Sequence, residues 1–212
     1  MTRTTEQEFW HQIWTQESQG FHEGKTNFFL AKHIERFAQR PRVLAPLCGR
    51  AHDLRFLADR GHDVTGIELV ESAARGFFEE QGLAVTERYQ NNTLVLESGS
   101  LRILVSDVLD VSPEEFGTYD AIYDRAAAVA LPLPTRLQYA QVMQNLLAPN
   151  GAIFLVTFVD PTRDHGPPFA FDEDGVRAMY PNADITCIDV LDPQKEMPHL
   201  PPAMTQKVFW IR

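Results

Sequence analysis

Apolar residues in the first half of the chain form short runs typical of buried strands, separated by segments with helical spacing. Val43 to Ala45 is one short run that ends in a turn, and Asp63 to Glu68 contains a second. Between them, His52 to Arg60 carries apolar residues at helical spacing, and Gly61 follows at a position typical of a helix end. The stretch from Arg42 to Glu68 therefore predicts a βαβ unit with parallel strands and a right-handed crossover.

The same alternation continues on both sides of this unit. It predicts helices over Thr5 to Gln16, from Thr26 or Asn27 to about Gln39, over Val70 to Gln81, over Thr135 to Leu147, and from Asp172 or Glu173 to about Tyr180. It predicts a hairpin over Thr93 to Val105 and strands over Tyr119 to Tyr123, Ala152 to Val159, Ile185 to Leu191 and Thr205 to Ile211. The last two strands lack an intervening helix of usual length. The pattern therefore predicts an α/β fold, a doubly wound and mostly parallel sheet with one reversed strand.

Length and charge narrow the function classes. A chain of 212 residues predicts a single domain, residues 1–212. The net charge of −10, without a long acidic run, argues against nucleic acid or an anionic membrane as a partner. The N-terminus has no apolar signal segment, and no apolar run approaches the length of a membrane span. We therefore expect a cytoplasmic location. Cys48 and Cys187 are the only cysteines and the histidines show no ligand spacing, so no metal site is predicted.

The loop of the βαβ unit gives the first indication of a ligand. Gly49 lies before the helix, and Glu68 ends the second strand 19 positions later, where nucleotide-binding folds place an acid that binds ribose hydroxyls. The loop has one glycine rather than the several that a pyrophosphate requires. S-adenosylmethionine (SAM) carries a ribose and no phosphate, and it fits this pattern. The alternative is an ordinary βαβ unit in which Glu68 is a solvated strand end.

Two tryptophans four positions apart, Trp10 and Trp14, share one face of the first predicted helix. They favour either docking of that helix onto the core or a cover over a flat aromatic ligand. Cys48 lies near a helix N-terminus, but a small buried residue explains it better than a nucleophile does.

A series of short motifs carries a family resemblance over almost the whole chain. They are FWHQIW at Phe9 to Trp14, GFH at Gly20 to His22, PLCGR at Pro46 to Arg50, GHDVTGIEL at Gly61 to Leu69, YDRAAAVALP at Tyr123 to Pro132 and GPPF at Gly166 to Phe169. In this order and spacing, the sequence resembles the bacterial thiopurine S-methyltransferases. These are class I, SAM-dependent methyltransferases.

The resemblance implies a Rossmann-like sheet of seven strands with the last antiparallel, residues 41–212, and an N-terminal helical lid, residues 1–40. It implies a monomer that transfers the methyl group of SAM to a small thiol or thiopurine-like acceptor, or to selenium or tellurium analogues. It also implies a set of cofactor contacts: Trp10, Trp14 and Phe21 from the lid, Leu47 and Gly49 at the methionine part, Glu68 at the ribose with Leu69 beside it, Asp107 and Val108 at the adenine, and Arg125 at the methionine carboxylate and the acceptor.

Methyl transfer to a thiolate needs no strong base, but a nearby cation lowers the pKa of a thiol. Arg125 is therefore the candidate catalytic residue; the alternative is an ion pair with Asp124 or another carboxylate. Arg50 replaces an expected lysine, and the segment after Phe169 matches the family poorly, which leaves the acceptor open. A halide/thiol methyltransferase of the same fold is the main alternative. A nicotinamide-dependent oxidoreductase is opposed by the single-glycine loop, and a non-catalytic SAM-binding module by Arg125 and the lid.

Overall fold

The computed structural model describes residues 3–15, 22–162, 165–191 and 204–212. The chain forms two compact units, Met1–Phe116 and Gly117–Arg212. The expectation of one domain stays a prediction. Among the described helices, none combines the length and the apolar character that a membrane span requires.

The first unit is built on a five-stranded mixed sheet. Its strand order is β3-β4-β5-β2-β1, in which β1, β2 and β5 run parallel and the hairpin of β3 and β4 is added antiparallel to β5. Helices α3 and α4 pack on β2 and β5. The elements are α1 (Arg3–Ile13), α2 (Phe28–Lys32), β1 (Arg42–Pro46), α3 (Asp53–Ala58), β2 (Asp63–Glu68), α4 (Glu71–Glu80), β3 (Thr86–Gln90), β4 (Thr93–Ser98), β5 (Leu101–Val105) and α5 (Pro113–Phe116).

The predicted βαβ unit is confirmed, and β2 has the bounds that the sequence predicts. The first helix is shifted, since α1 ends at Ile13. The prediction of one continuous helix to Gln39 is wrong. Asn27 does cap α2, with its side chain accepting from the N–H of Phe29, but the helix stops at Lys32. His33 leaves the helical conformation (φ −113, ψ 22), and a short 3-10 helix follows over Ile34–Phe37.

The second unit is built on a four-stranded sheet in the order β6-β7-β9-β8. Strands β6 and β7 are parallel, while β9 is antiparallel to both β7 and β8, so the reversed strand is confirmed. β7 begins at Leu147 rather than Ala152. Its pairing with β6 shifts register between Tyr119 and Ala121, and Asn150 has a positive φ of 64°. The elements are β6 (Tyr119–Arg125), α6 (Leu133–Leu146), β7 (Leu147–Val159), α7 (Glu173–Met179), β8 (Ile185–Val190) and β9 (Thr205–Ile211).

The α/β class is confirmed, but the strand count is not. The described residues form nine strands in mixed pairings rather than seven in a mostly parallel sheet. The strand that the sequence analysis missed is β3, Thr86–Gln90, in which four residues are exposed and the fifth is half-buried. Its sequence, TERYQ, offers no apolar face to bury, so it carries none of the alternation that predicts a strand.

Candidate active site

The carboxyl ends of β1, β2 and β5 meet at one edge of the first unit's sheet. The parallel register pairs Pro46 with Ile67 and Glu68 with Val105, so the three strands end at nearly the same level. Two further bonds extend the ladder: the N–H of Cys48 donates to the carbonyl of Ile67 at 3.0 Å, and the N–H of Ser106 donates to the carbonyl of Glu68 at 3.0 Å. The loops that follow the three strands therefore surround Glu68.

The Glu68 side chain is buried and joins two of these loops. Its Oε2 accepts a hydrogen bond from the N–H of Gly49 at 2.8 Å, and its Oε1 accepts one from the N–H of Val70 at 2.8 Å. Burial raises the pKa of Glu68 to about 7, although the bonds from Val70 and Gly49 favour the carboxylate and pull the pKa down. Glu68 is therefore not a solvated strand end. It is a buried acceptor enclosed by the loops after β1 and β2.

The loop after β1 is shaped by two left-handed residues and covered by a tryptophan. Leu47 and Gly49 have positive φ angles of 47° and 51°. A Cβ at Gly49 would lie 2.7 Å from Cζ2 of Trp14, so only glycine lets this ring approach the backbone. Trp14 is buried against Val70 and Ala73, and partly buried Trp10 and Leu69 pack against the same cluster. The docking of α1 onto the core is therefore confirmed, and the cover over a flat aromatic ligand stays a prediction.

A second contact holds the other end of α1 at the loop after β5. Oδ2 of Asp107 accepts hydrogen bonds from Nε of Arg3 at 2.9 Å and from Nε2 of Gln7 at 2.7 Å. Arg3 also pairs with Asp110. The other oxygen of Asp107 accepts from the N–H of Leu109 at 2.9 Å and caps a 3-10 turn over Val108–Asp110. Asp107 thus binds α1 as well as its own loop.

Most of the predicted cofactor contacts meet at this edge. The first unit brings together one set: Trp10, Trp14, Leu47, Gly49, Glu68, Leu69, Asp107 and Val108, the last of which is buried. Phe21 lies outside the described residues. Arg125 belongs to the second unit, where it is the last residue of β6 and pairs in register with Val156.

Asp124, the residue before Arg125, accepts two hydrogen bonds within the second unit. Asp124 is fully buried, and its two oxygens accept from the N–H of Ala128 at 3.0 Å and from the hydroxyl of Tyr139 at 2.7 Å. Successive strand residues point to opposite faces of a sheet, so Arg125 points away from Asp124. The ion pair of Arg125 with Asp124 or another carboxylate, the alternative raised by the sequence, stays a prediction. Burial raises the pKa of Asp124 to about 6.

The fold also brings together a cluster of side chains that sequence spacing does not predict. His22, His52 and Glu80 each place one nitrogen or oxygen within 4.8 Å of the others. Nη1 of Arg50 lies 2.8 Å from Oε1 of Glu80, and the same guanidinium lies over the Trp14 ring, 5.4 Å from its centroid. These residues come from four separate segments, so only the fold brings them together.

Comparison with known proteins decides the family. The thiopurine S-methyltransferase (TPMT) family model matches residues 5–210. The chain is 36% identical to the thiopurine S-methyltransferase of Methylococcus capsulatus, covering 97% of this chain and 96% of that protein. It is 37% identical to that of Aliivibrio fischeri, covering 92% of each. The chain belongs to the thiopurine S-methyltransferase family.

Solved structures agree on the fold of this family member. The 1,6-didemethyltoxoflavin-N1-methyltransferase of Burkholderia thailandensis, solved with S-adenosylhomocysteine and 1,6-didemethyltoxoflavin bound, has a TM-score of 0.58 at 17% identity, covering 99% of this chain and 84% of that one. A SAM-dependent methyltransferase of Anabaena variabilis has a TM-score of 0.64 at 14% identity, with coverage of 97% and 94%. The chain is a SAM-dependent methyltransferase. Its residues fit that cofactor, because Glu68 is a buried acceptor at the end of β2, where nucleotide-binding folds place the acid that binds ribose hydroxyls.

Arg3 and Gln7 are contacts of α1 with the loop after β5 that the sequence analysis did not predict in this family member. A signal for them exists in the sequence. Arg3, Gln7, Trp10 and Trp14 recur at intervals of three and four residues, which is one continuous face of a helix. Only the two aromatic members of that face contribute to an apolar periodicity, so the pattern that predicts a buried face does not include Arg3 and Gln7.

Proposed function

We propose that this methyltransferase acts on a small thiol or thiopurine-like acceptor, with selenium or tellurium analogues as further acceptors. The observation that carries the proposal is the match to relatives named thiopurine S-methyltransferase over nearly their whole length and nearly the whole of this chain. A monomeric state and a cytoplasmic location, expected from the sequence, remain predictions.

We assign the cofactor contacts by their chemistry. Glu68 is proposed to accept hydrogen bonds from the ribose hydroxyls, since each carboxylate oxygen can accept more than the one bond it now receives. Leu47 and Gly49 form the loop proposed to hold the methionine part, and Asp107 with Val108 the loop proposed to hold the adenine. Trp10, Trp14, Leu69 and Phe21 are proposed to cover the cofactor.

When bound, SAM would supply a methyl group on a positively charged sulfur; in-line attack by an acceptor thiolate would form one carbon–sulfur bond as the other breaks, with S-adenosylhomocysteine as the leaving group. Charge is lost from both partners as that transition state forms, so a site that excludes water favours the reaction. The ring of Trp14 already seals the loop at Gly49, with 8% of the residue exposed. This sealed surface supports the proposed role of α1 in keeping water from the reacting atoms.

Arg125 is the residue proposed to prepare the acceptor. A guanidinium keeps its charge at any physiological pH, and a nearby positive charge stabilises a thiolate over the thiol. Its neighbour Asp124 fixes the backbone after β6 through the N–H of Ala128, in a segment where Ala126 has a positive φ of 62°. This support of the backbone favours a fixed position for Arg125.

A methyl-transfer assay tests the proposal. Purified protein and labelled SAM are offered 6-mercaptopurine, a simple thiol, selenite or iodide, with Arg125→Ala as the test variant. Arg177→Ala, an exposed arginine paired with Glu173 in the same unit, is the matched control. We expect transfer to the thiopurine in the parent and the control, with a loss of about 100-fold or more in Arg125→Ala. Transfer to iodide alone would move the function to halide methylation. Bound cofactor without transfer to any of the four would reject this acceptor class.

A further inference from the structure

Three metal-ligating side chains converge in the first unit, apart from the residues assigned to the cofactor. His22 lies before α2, His52 immediately precedes α3 without a side-chain capping bond, and Glu80 ends α4. Their candidate ligand atoms all lie within 4.8 Å of one another. We propose that His22, His52 and Glu80 form a binding site for a divalent transition metal ion, for which Zn²⁺ is the best match. Two imidazoles and one carboxylate are a ligand set that zinc accepts, with solvent in the fourth position.

The spacing of these atoms supports a four-coordinate ion. Tetrahedral zinc with bonds of roughly 2.0–2.1 Å places its ligand atoms about 3.3 Å apart. Nε2 of His22 lies 3.3 Å from Oε2 of Glu80, so this pair already has that separation. The two imidazole rings are tilted by 59° with centroids 6.0 Å apart, so they do not stack on each other. The candidate ligand nitrogen of His52 lies within 4.8 Å of the atoms of the other two residues, so a bound ion would draw it closer.

Arg50 affects the site in two opposing ways. Its Nη1 donates to Oε1 of Glu80 at 2.8 Å, which leaves Oε2 directed at His22. Carboxylate ligands of metals are usually held by such an outer hydrogen bond, which orients them. The positive charge of Arg50 also repels a cation. We therefore expect an affinity below that of a closed structural zinc site, and an ion that exchanges with solvent. The side chains of His22 and Glu80 are 23% and 31% exposed, which gives the ion access.

The site has a structural consequence beyond the proposed methyl transfer. His22 belongs to the segment that leads into α2, whereas His52 immediately precedes α3 and Glu80 ends α4, two helices that pack on the sheet. A bound ion would tie that segment to α3 and α4. Arg50 lies between this site and the ring of Trp14, so the ion would be held next to the contact between α1 and the loop after β1.

Metal titration of the full chain tests the site. All variants carry Cys187→Ser, because Cys187 is an exposed free thiol that could bind zinc on its own. Zn²⁺ binding is measured by calorimetry and Co²⁺ binding by its visible absorption spectrum. We expect one ion per chain and a four-coordinate cobalt spectrum. His52→Ala and Glu80→Gln should each weaken binding at least about tenfold and abolish that spectrum, since even outer-shell changes weaken binding by about this factor.

Matched controls separate this site from adventitious binding. His11→Ala removes an exposed histidine on α1, and Glu79→Gln removes the exposed carboxylate next to Glu80. Both should leave affinity and spectrum unchanged. His22→Ala provides a third variant if either helix variant fails to fold, as judged by circular dichroism. Absence of binding in the parent overturns the proposal. Binding that survives His52→Ala, Glu80→Gln and His22→Ala also overturns it.

Discussion

Glu68 and Asp124 are both buried carboxylates near the carboxyl ends of strands, yet their partners differ in kind. Glu68, in the first unit, accepts hydrogen bonds from the backbone N–H groups of two loops. Asp124, in the second unit, accepts one backbone bond and one from the hydroxyl of Tyr139, a side chain of α6 that is itself buried. Burial raises the pKa of both groups. One acid thus joins loops at the proposed cofactor edge, and the other fastens a strand end to a helix.

The comparison shows that burial and a raised pKa do not by themselves mark a binding residue. The partners distinguish the two cases. Backbone N–H groups in a loop leave carboxylate lone pairs available to a ligand, whereas a tyrosine hydroxyl from a packed helix encloses the acid within the protein. We therefore expect changes at Asp124 to act on the stability of the fold and changes at Glu68 to act on cofactor affinity.

The largest effect is expected from Asp124→Ala. It leaves the hydroxyl of Tyr139 and the N–H of Ala128 buried without their acceptor, and it removes the negative charge that favours the buried guanidinium of Arg136. The free energy of unfolding should fall by about 3 kcal/mol. Urea unfolding followed by circular dichroism measures it. Tyr139→Phe should lose about 1 kcal/mol, and the exposed control Asp174→Ala less than about 0.5 kcal/mol. A loss at Asp124 no greater than at Asp174 would contradict the comparison.

Glu68→Gln should weaken binding of S-adenosylhomocysteine by roughly 1–3 kcal/mol, because a charged acceptor becomes a neutral one. Stability should change less than in Asp124→Ala, since the amide oxygen still accepts one of the two N–H groups. Calorimetry gives the dissociation constant. Glu71→Gln changes an exposed acid three residues away and serves as the control. Unchanged affinity in Glu68→Gln would mean that another residue holds the ribose.

The pH dependence of stability separates the two acids again. Burial raises the pKa of Glu68 from 4.5 to about 7 and that of Asp124 from 3.8 to about 6. The folded chain therefore keeps protons that the unfolded chain has released, and the free energy of unfolding falls as pH rises through these windows. Each group contributes a slope of at most about 1.4 kcal/mol per pH unit.

Urea unfolding between pH 4.5 and 7 measures that slope. Glu68→Gln should flatten it up to about pH 7, whereas Asp124→Asn should flatten it only up to about pH 6. Cofactor affinity should change with pH in the opposite direction, because ionised Glu68 is the better acceptor. The affinity should rise toward pH 7 in the parent and stay level in Glu68→Gln. A slope that neither substitution changes would show that other groups set the pH dependence.

The smallest effect is expected from Arg3→Ala. The Arg3 side chain is 45% exposed, so its bond to Asp107 should contribute only about 0.5 kcal/mol. Its removal loosens α1, and the emission of Trp14 should shift to longer wavelength as the ring gains water. Asp107→Asn should produce the same shift, and combining the two should add little. Arg55→Ala, an exposed arginine paired with Asp59, is the control. A shift of equal size in Arg55→Ala would show that the emission shift does not come from loosening of α1.

The sequence predicts β2, which ends at Glu68, better than it predicts β3 or the helix before β1, and the reason is local periodicity. Strand β2 and the acid at its end follow from a short apolar run with a polar residue after it. Strand β3 has no such run, and the break at His33 interrupts a pattern that is helical on both sides. Phe29, Leu30 and Phe37 lie on either side of this break and are fully buried. Their packing against the rest of the unit is not encoded in the local pattern.

Contacts between distant segments are harder to predict from the sequence than helices and strands are. Asp107 was expected at the adenine, yet the bonds it makes to Arg3 and Gln7 require the docking of α1. His22, His52 and Glu80 have no common spacing, and the pairing of Asp124 with Tyr139 depends on α6 packing behind β6. In each case the partners are set by tertiary packing, which a periodicity in one segment does not encode.

The contacts at the two ends of α1 fix the number of residues between them. Arg3 and Gln7 contact the loop after β5, and Trp14 contacts the loop after β1, where the N–H of Trp14 still donates to the carbonyl of Trp10 at 3.1 Å. Each inserted residue turns a helix by about 100°. A single insertion or deletion between Gln7 and Trp10 would put one end of the helix out of phase with its loop. Natural variants of this protein should therefore tolerate many substitutions on the outer face of α1, but no change in the number of residues between its two contacts.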